Sequence, residues 1–316
     1  MRPSDVPRRW WFAAGAVVVL VVVALAYALV LDSFYADAAS SKKALVSGVS
    51  RRDGIDVDAN VVSVDPNDNE MTMRLSFVPH GSFRSPVGTL STPMDLIING
   101  TVDKGTIKFG AGEFMDPIDI TLALDGRVTR YPFDSYNVVF DVFFVRPNDV
   151  SNGQELFVAP TRLATRAAVH GFDLRVRDVS ARFHEPDFNF IRIRVERAAS
   201  TLFFAVFIMV LMWALAIAGI AIATILTLVR HDIGPGVLGF LAALLFALPG
   251  IRQVLPGAPP LGALNDYLAF FWAEAIIAVT LSVLAVIFLR RELATWRRER
   301  AGSLRTEGDP RDTATR

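Results

Sequence analysis

Three groups of residues in this sequence have types and spacings that could do chemistry. The first is Glu274, a carboxylate within the otherwise uncharged run 267–289, with Arg252 and Asp266 shortly before it. A lone carboxylate inside a membrane span is costly and is by default a candidate functional site. Paired with Arg252 or Asp266, its natural charge partners, it would clamp spans together. Alone, it could take part in proton or ion movement. Trp272 stands beside it in an aromatic cluster. The second group is Arg130-Tyr131-Pro132-Phe133-Asp134-Ser135-Tyr136. Here Pro132 stiffens the entry to an apolar strand, Phe133 can anchor in a core, and Asp134 can cap the turn. The third is Asp65-Pro66-Asn67-Asp68-Asn69, which begins like a calcium loop. Glu70 stands where such a loop needs a turning Gly, and Ser76 where it needs a bidentate Glu. A hairpin turn is the expectation there, and Asp56-x-Asp58 reads as the solvated side of a strand.

Other chemistries find little support. His80, His170, His184 and His231 fall in no metal-binding spacing, and no nucleophile elbow, phosphate loop or dinucleotide fingerprint occurs. A Ser82–His80–Asp triad can be written down, but nothing specifies it. The absence of cysteine removes disulfides, thiolate nucleophiles and cysteine metal sites. No segment is basic enough to argue for nucleic acid. No catalytic, cofactor-binding or metal-binding residues are therefore expected.

The elements that must position these groups are of two kinds. With 52% apolar residues, concentrated in a few blocks, the chain reads as a membrane protein. Residues 10–31 form an apolar run of roughly 22 residues, about 33 Å as a helix, enough to span the hydrocarbon core. A cleavable signal peptide is the rival reading. The run exceeds the usual apolar length of such peptides, so a retained signal-anchor is expected. Residues 201–229 form a long second span, and 233–251 a short third one bracketed by Gly234-Pro235-Gly236 and the helix-stopping Pro249–Gly250. That span is barely long enough to cross, so a re-entrant hairpin stays open. Residues 252–266 form a Pro-rich loop and 267–289 the fourth span. A basic tail follows over 290–316.

Between the first two spans the pattern changes to period two. Met71, Met73, Leu75 and Phe77 alternate with Thr72, Arg74 and Ser76, and Ile118, Ile120, Leu122 and Leu124 repeat the pattern. Alternation with β-branched and aromatic enrichment argues half-buried strands. Seven or eight such strands with short turns predict an antiparallel β-sandwich-like domain over residues 32–197. The fold class expected is thus membrane α plus soluble β. Arginines at 2, 8 and 9 and at 290, 291, 297, 298 and 300 place both termini in the cytoplasm by the positive-inside rule, and the β-domain outside.

The Tyr131-Pro132-Phe133-Asp134 segment is similar to the aromatic-Pro-Phe-Asp segment of pentameric ligand-gated channels, without that family's flanking cysteines. The resemblance implies a place where a β-sandwich meets the membrane. More broadly, the chain resembles the membrane proteins grouped as domain of unknown function 4436, common in mycobacteria and relatives. The residues that carry this are Tyr131-Pro132-Phe133-Asp134 with Tyr136, and Leu248-Pro249-Gly250-Ile251-Arg252 with Pro256-Gly257, Pro259-Pro260, Gly262, Asp266 and Phe271-Trp272. The likeness covers residues 10–290. It implies an N-terminal span, an outer domain and three further spans, and no catalytic residues.

The function expected is therefore non-enzymatic: a plasma-membrane protein of the cell envelope whose outer β-domain binds or senses a partner. Its surroundings would be the lipid bilayer and an envelope protein or lipid. Tyr131, Pro132, Phe133, Asp134, Arg252, Asp266, Trp272 and Glu274 are the candidates for coupling the outer domain to the spans. One alternative is a transporter or channel component using Glu274 and the short third span, which four helices could form only as a homo-oligomer. Another is an envelope enzyme acting on lipid or glycan.

Overall fold

Alternation in the sequence becomes strand in the structure, a computed structural model that describes residues 44–47, 52–102, 106–147, 157–180, 189–229 and 234–306, with 27–28, 31–32 and 35. The expected first span lies almost wholly outside these residues, as do the 230–232 link and the chain beyond 306. The chain divides into two compact units, Met1–Phe204 and Ala205–Arg316.

The first unit holds eleven described strands: β1 (Ala44–Ser47), β2 (Gly54–Asp65), β3 (Glu70–His80), β4 (Met94–Asn99), β5 (Thr106–Phe109), β6 (Ile118–Ala123), β7 (Asp125–Gly126), β8 (Ser135–Val145), β9 (Thr161–Ala167), β10 (Phe172–Asp178) and β11 (Ile191–Arg197). One sheet runs β1-β9-β2-β3-β6 and the other β10-β11-β8-β4-β5, with β7 beside β8. Met71, Met73, Leu75 and Phe77 point into the space between the sheets and are buried. Leu96, Phe140 and Ile193 meet them from the other side. Phe77 sets its ring edge-on to Phe144 at 5.8 Å and to Phe109 at 5.5 Å. Offset aromatic contacts of this kind fix the sheets' relative positions beyond simple burial.

Two expectations about the strands need correction. The domain is not wholly antiparallel, because β2 and β9 run parallel, with Ile55 opposite Thr161. Parallel neighbours need a crossover connection, here the chain that leaves β8 and returns as β9. The second correction is that β1, β5 and β9 had no strong apolar alternation to announce them. In β9 the inward positions are Thr161, Leu163, Thr165 and Ala167, half of them hydroxyl residues. The calcium-like segment is a hairpin turn, as expected. Asp65 accepts from the backbone N–H of Asn67 at 2.9 Å, and Asn69 adopts φ 58°, a conformation Asn tolerates.

Three helices follow, each long and apolar enough to cross a membrane: α1 (Ala199–Val229), α2 (Pro235–Gln253) and α3 (Phe271–Thr306). At 1.5 Å per residue they measure about 46, 28 and 54 Å. A π turn, Asp266–Phe270, leads into α3. The helix α2 does not stop at Pro249–Gly250; it runs through Pro249 to Gln253 and carries Arg252 on its last turn. Proline is tolerated within apolar helices where neighbours compensate for its missing N–H. The hydroxyls of Thr224, Thr280 and Ser282 bond back to carbonyls four residues earlier, so the helices need no outside partner for them. Gly219 of α1 lies where Ile277 of α3 and Leu241 and Leu244 of α2 converge. Small residues allow such close approach.

Candidate functional site

The first site grows from the register of two strands. On β11 the inward positions are Ile191, Ile193 and Val195, all fully buried, and the next in the series is Arg197. On β8 the inward series Phe140, Val138, Tyr136 leads back to Asp134. The strands pair antiparallel with Val195 opposite Tyr136 and Glu196 opposite Ser135. Arg197 and Asp134 therefore meet as one more rung, and both side chains are buried. Arg197 Nε donates to Asp134 Oδ1 at 3.2 Å, and Nη2 donates to Oδ2 at 3.0 Å. The Tyr136 hydroxyl donates to the same Oδ2 at 2.7 Å. Burial, and then the Asp134 carboxylate, push the Tyr136 phenol well above its ordinary value, so it stays a neutral donor.

Aromatic rings close the remaining sides. The Arg197 guanidinium lies 5.0 Å from the Tyr131 ring centre and 4.8 Å from that of Phe172, a favourable placement for a cation out of water. One residue later the chain changes element. Ala198 N–H donates to the Gly171 carbonyl at 3.0 Å, Thr201 Oγ1 donates to it at 3.2 Å, and α1 begins at Ala199. Through Arg197, Tyr131 and Asp134 thus lie beside the passage from β11 into α1. Within their turn the anchor is Tyr131, fully buried. Phe133, expected in the core, is 56% exposed, and Asp134 binds Arg197 and Tyr136 instead of capping its own turn. Pro132 joins the two through a cis peptide bond. Sequence reasoning missed Arg197. Its signal was legible: an arginine at the inward position of an alternating strand requires a buried acid.

The second site is built around Arg252. Its Nε donates to Asp266 Oδ1 at 3.0 Å and its Nη2 to Oδ2 at 3.0 Å, while Nη2 also reaches the carbonyls of Pro259 at 2.9 Å and Pro260 at 3.0 Å. Asp266 further accepts from Gly262 N–H at 2.8 Å and Asn265 Nδ2 at 2.9 Å. Both prolines supply backbone carbonyls to the guanidinium, and that of Pro260 also accepts from Ala263 N–H at 3.3 Å. Thus the expected partnership of Glu274 with Arg252 or Asp266 does not form, since these two satisfy each other. Glu274 is half-buried beside the inward stripe Ala269, Ala273 and Ile277, and its Oε2 has no hydrogen-bond partner. Where the π turn opens the helix, the Leu268 carbonyl accepts from Trp213 Nε1 of α1 at 3.0 Å. Trp272 is exposed, next to exposed Tyr267 and Phe271, an arrangement suited to a membrane interface.

A third buried polar group was not foreseen. Asp141 of β8, fully buried, accepts from Asn189 N–H at 3.2 Å. Asn189 donates through Nδ2 to the Thr161 carbonyl at 2.9 Å, and Ser47 Oγ reaches both Asn189 Oδ1 at 3.2 Å and Asp178 Oδ2 at 2.5 Å. Burial pushes the Asp141 carboxyl up to about 6, against bonds from Asn189 and Val142 N–H that hold it lower. His80 faces Asp56 at 3.3 Å, a carboxylate it shares with Arg162 at 3.4 Å, on a partly exposed strand face.

No curated protein matches the chain. Residues 45–191 match the model of a domain of unknown function, DUF4436, and residues 197–291 match that of a second, DUF8686. The border between the two matches falls in β11, so Asp134 lies in the first and Arg197 is the first residue of the second. With its β-rich domain and three helices apolar enough to cross a membrane in the expected order, the chain carries a DUF4436 domain over residues 45–191, continued by a DUF8686 domain over 197–291.

Proposed function

We propose a non-enzymatic protein of the cell envelope, anchored in the plasma membrane with both termini cytoplasmic and residues 32–197 outside. In this reading the β-domain binds or senses an envelope partner and passes the resulting strain into α1. One observation supports it above the others: the last rung between β8 and β11 is a buried ion pair, two residues before α1 begins. A strand held that way cannot reorient without moving the start of the helix. Full-length tagged protein is expected to retrieve an envelope protein or lipid from native membranes, and a chain lacking residues 45–196 to lose it. Equal retrieval by the shortened chain would overturn the reading. Reporter fusions at residues 232 and 260 test the orientation, with an outward signal expected only at 260.

A second reading, a transporter or channel component working as a homo-oligomer, is favoured by the unpartnered Glu274 oxygen. Ion flux in proteoliposomes that Glu274→Gln abolishes would support it; no flux above empty vesicles would remove it.

A further inference from the structure

The outer face of the second sheet carries an arrangement that folding alone does not favour. Outward positions of β10 and β11 stand directly opposite one another, and the register sets Arg175 against Arg194 and Arg177 against Arg192. Like charges opposed across a strand pair destabilise it, and here two such pairs are adjacent. Acids relieve only one of them. Arg194 meets Glu196 at 2.7 Å, and Arg175 lies 3.3 Å from Asp173 and 3.5 Å from Glu196. Among the described residues, Arg177 and Arg192 have no ion-pair or hydrogen-bond partner. The one carboxylate close to them, Asp178, has one oxygen occupied by Ser47 and the other by Ser180 N–H at 2.8 Å.

These side chains are largely solvent-exposed and surround a concavity. Asn137, Arg175, Arg177, Asp178, Arg192 and Arg194 line a hollow of about 350 Å³. A second hollow of about 270 Å³ adjoins it through Asn137 and is lined by Arg127 and Arg130 with Asp125 and Ser135. Six arginines and two aspartates thus face the two hollows, a local 6 − 2 = +4. Residues 32–198 as a whole carry 19 basic and 23 acidic residues, 19 − 23 = −4. The positive charge is therefore gathered against the sign of the domain. Guanidinium forks match the oxygens of a phosphoryl group two at a time, and a concave site focuses the field on an incoming anion.

We infer that this face is a binding site for a multiply charged phosphoryl group, carried either by a small soluble compound or by a lipid headgroup. The bound oxyanion would bridge Arg177 and Arg192 and replace their mutual repulsion with shared bonds, with Asn137 and Arg194 at the rim. The inference deepens the reading that the β-domain binds a ligand and depends on that reading alone.

The test uses the full-length protein in detergent or nanodiscs, with inorganic pyrophosphate as the soluble probe and vesicles containing phosphatidic acid as the lipid probe. Saturable binding of at least one probe is expected, weakening with added salt. The double variant Arg177→Gln/Arg192→Gln should lower the affinity by about tenfold or more, whereas Arg74→Gln on the other sheet should leave it unchanged. With like-charge contacts removed, the double variant should melt no lower than the parent when no anion is present, which separates lost binding from lost folding. Binding of pyrophosphate alone assigns a soluble ligand, and of vesicles alone a headgroup. Binding of neither, or binding that the double variant keeps, overturns the inference. If that happens while deletion of residues 45–196 still abolishes partner retrieval, only the ligand class falls.

Discussion

Arg197 and Asp134 close the β8–β11 ladder with a buried, doubly hydrogen-bonded ion pair, and α1 starts two residues after Arg197. Their value lies in position, since a buried pair is seldom worth more than an apolar replacement of the same shape. Removing one partner is different, because it strands a charge out of water. Asp134→Ala or Arg197→Ala is expected to cost about 3–5 kcal/mol, read as a lower melting temperature of the solubilised full-length chain. The double variant Asp134→Leu/Arg197→Met should recover most of that loss. If it recovers stability but not partner-dependent signalling, the pair couples domain and helix; if both return, it is only a fastening.

The Asp141 carboxyl gives the β-domain a pH dependence of definite sign. Held near about 6 against an ordinary 3.8, it keeps its proton in the folded state where the unfolded chain has released it. The folded state binds the extra proton across that window, so the contribution is fully present below about pH 4 and fades as pH rises through about 6. The difference corresponds to on the order of 3 kcal/mol. Asp141→Asn keeps an acceptor for Asn189 N–H and carries no charge. It should flatten the stability profile between pH 4 and 7 and raise stability at pH 7, measured by denaturant unfolding of both proteins across that range. A variant whose pH profile parallels the parent would show that Asp141 is charged in the fold.

Much of the architecture could be read before any coordinates, and the reason is periodicity. Period two in 71–77 and 118–124, the uncharged run in 201–229 and the run in 267–289 with its single charge each persist long enough to decide an element. What escaped had no such repetition. The strand β9 fills inward positions with Thr161 and Thr165, and α2 passes through a proline that would end a helix in water. The clamp was half legible. Asp134 stood in a noticed motif, but its partner lies 63 residues away, and a single sequence shows no pairing at that distance. Arg252–Asp266 was within reach because only 14 residues and one loop separate them. The expectation instead gave each of them to Glu274, a charge that nearness in sequence made to look available.

Gly219 tests how tightly the helices meet. A Cβ there would come within 2.5 Å of Ile277 Cδ1 and 3.4 Å of Leu241 Cδ2 and Leu244 Cδ1. The nearest atom is the tip of a side chain that can turn aside, and alanine favours a helix over glycine by about 1 kcal/mol. Gly219→Ala should therefore be close to neutral. Gly219→Leu cannot be absorbed in that way and should cost about 1–3 kcal/mol by overpacking. Melting of the detergent-solubilised protein distinguishes the two, and a harmless leucine would mean that the helices do not approach as closely as described.

The Arg252 corner makes the sharpest contrast among the charged groups. One guanidinium there holds a carboxylate and two proline carbonyls, and that carboxylate in turn collects Gly262 and Asn265. Arg252→Lys keeps the charge but cannot span Asp266 Oδ1, Oδ2 and both carbonyls from a single ammonium, so it should behave nearly as badly as Arg252→Ala. Asp266→Ala leaves the arginine buried without its acid and should cost about 3–5 kcal/mol. Glu274→Gln removes a charge that supports no bond to this corner and should not lower stability. Proteolysis within 254–265 of the solubilised chain reads the result directly, with faster cleavage for the Arg252 and Asp266 variants and an unchanged rate for Glu274→Gln. Faster cleavage in the Glu274 variant would show that its carboxylate does support the loop.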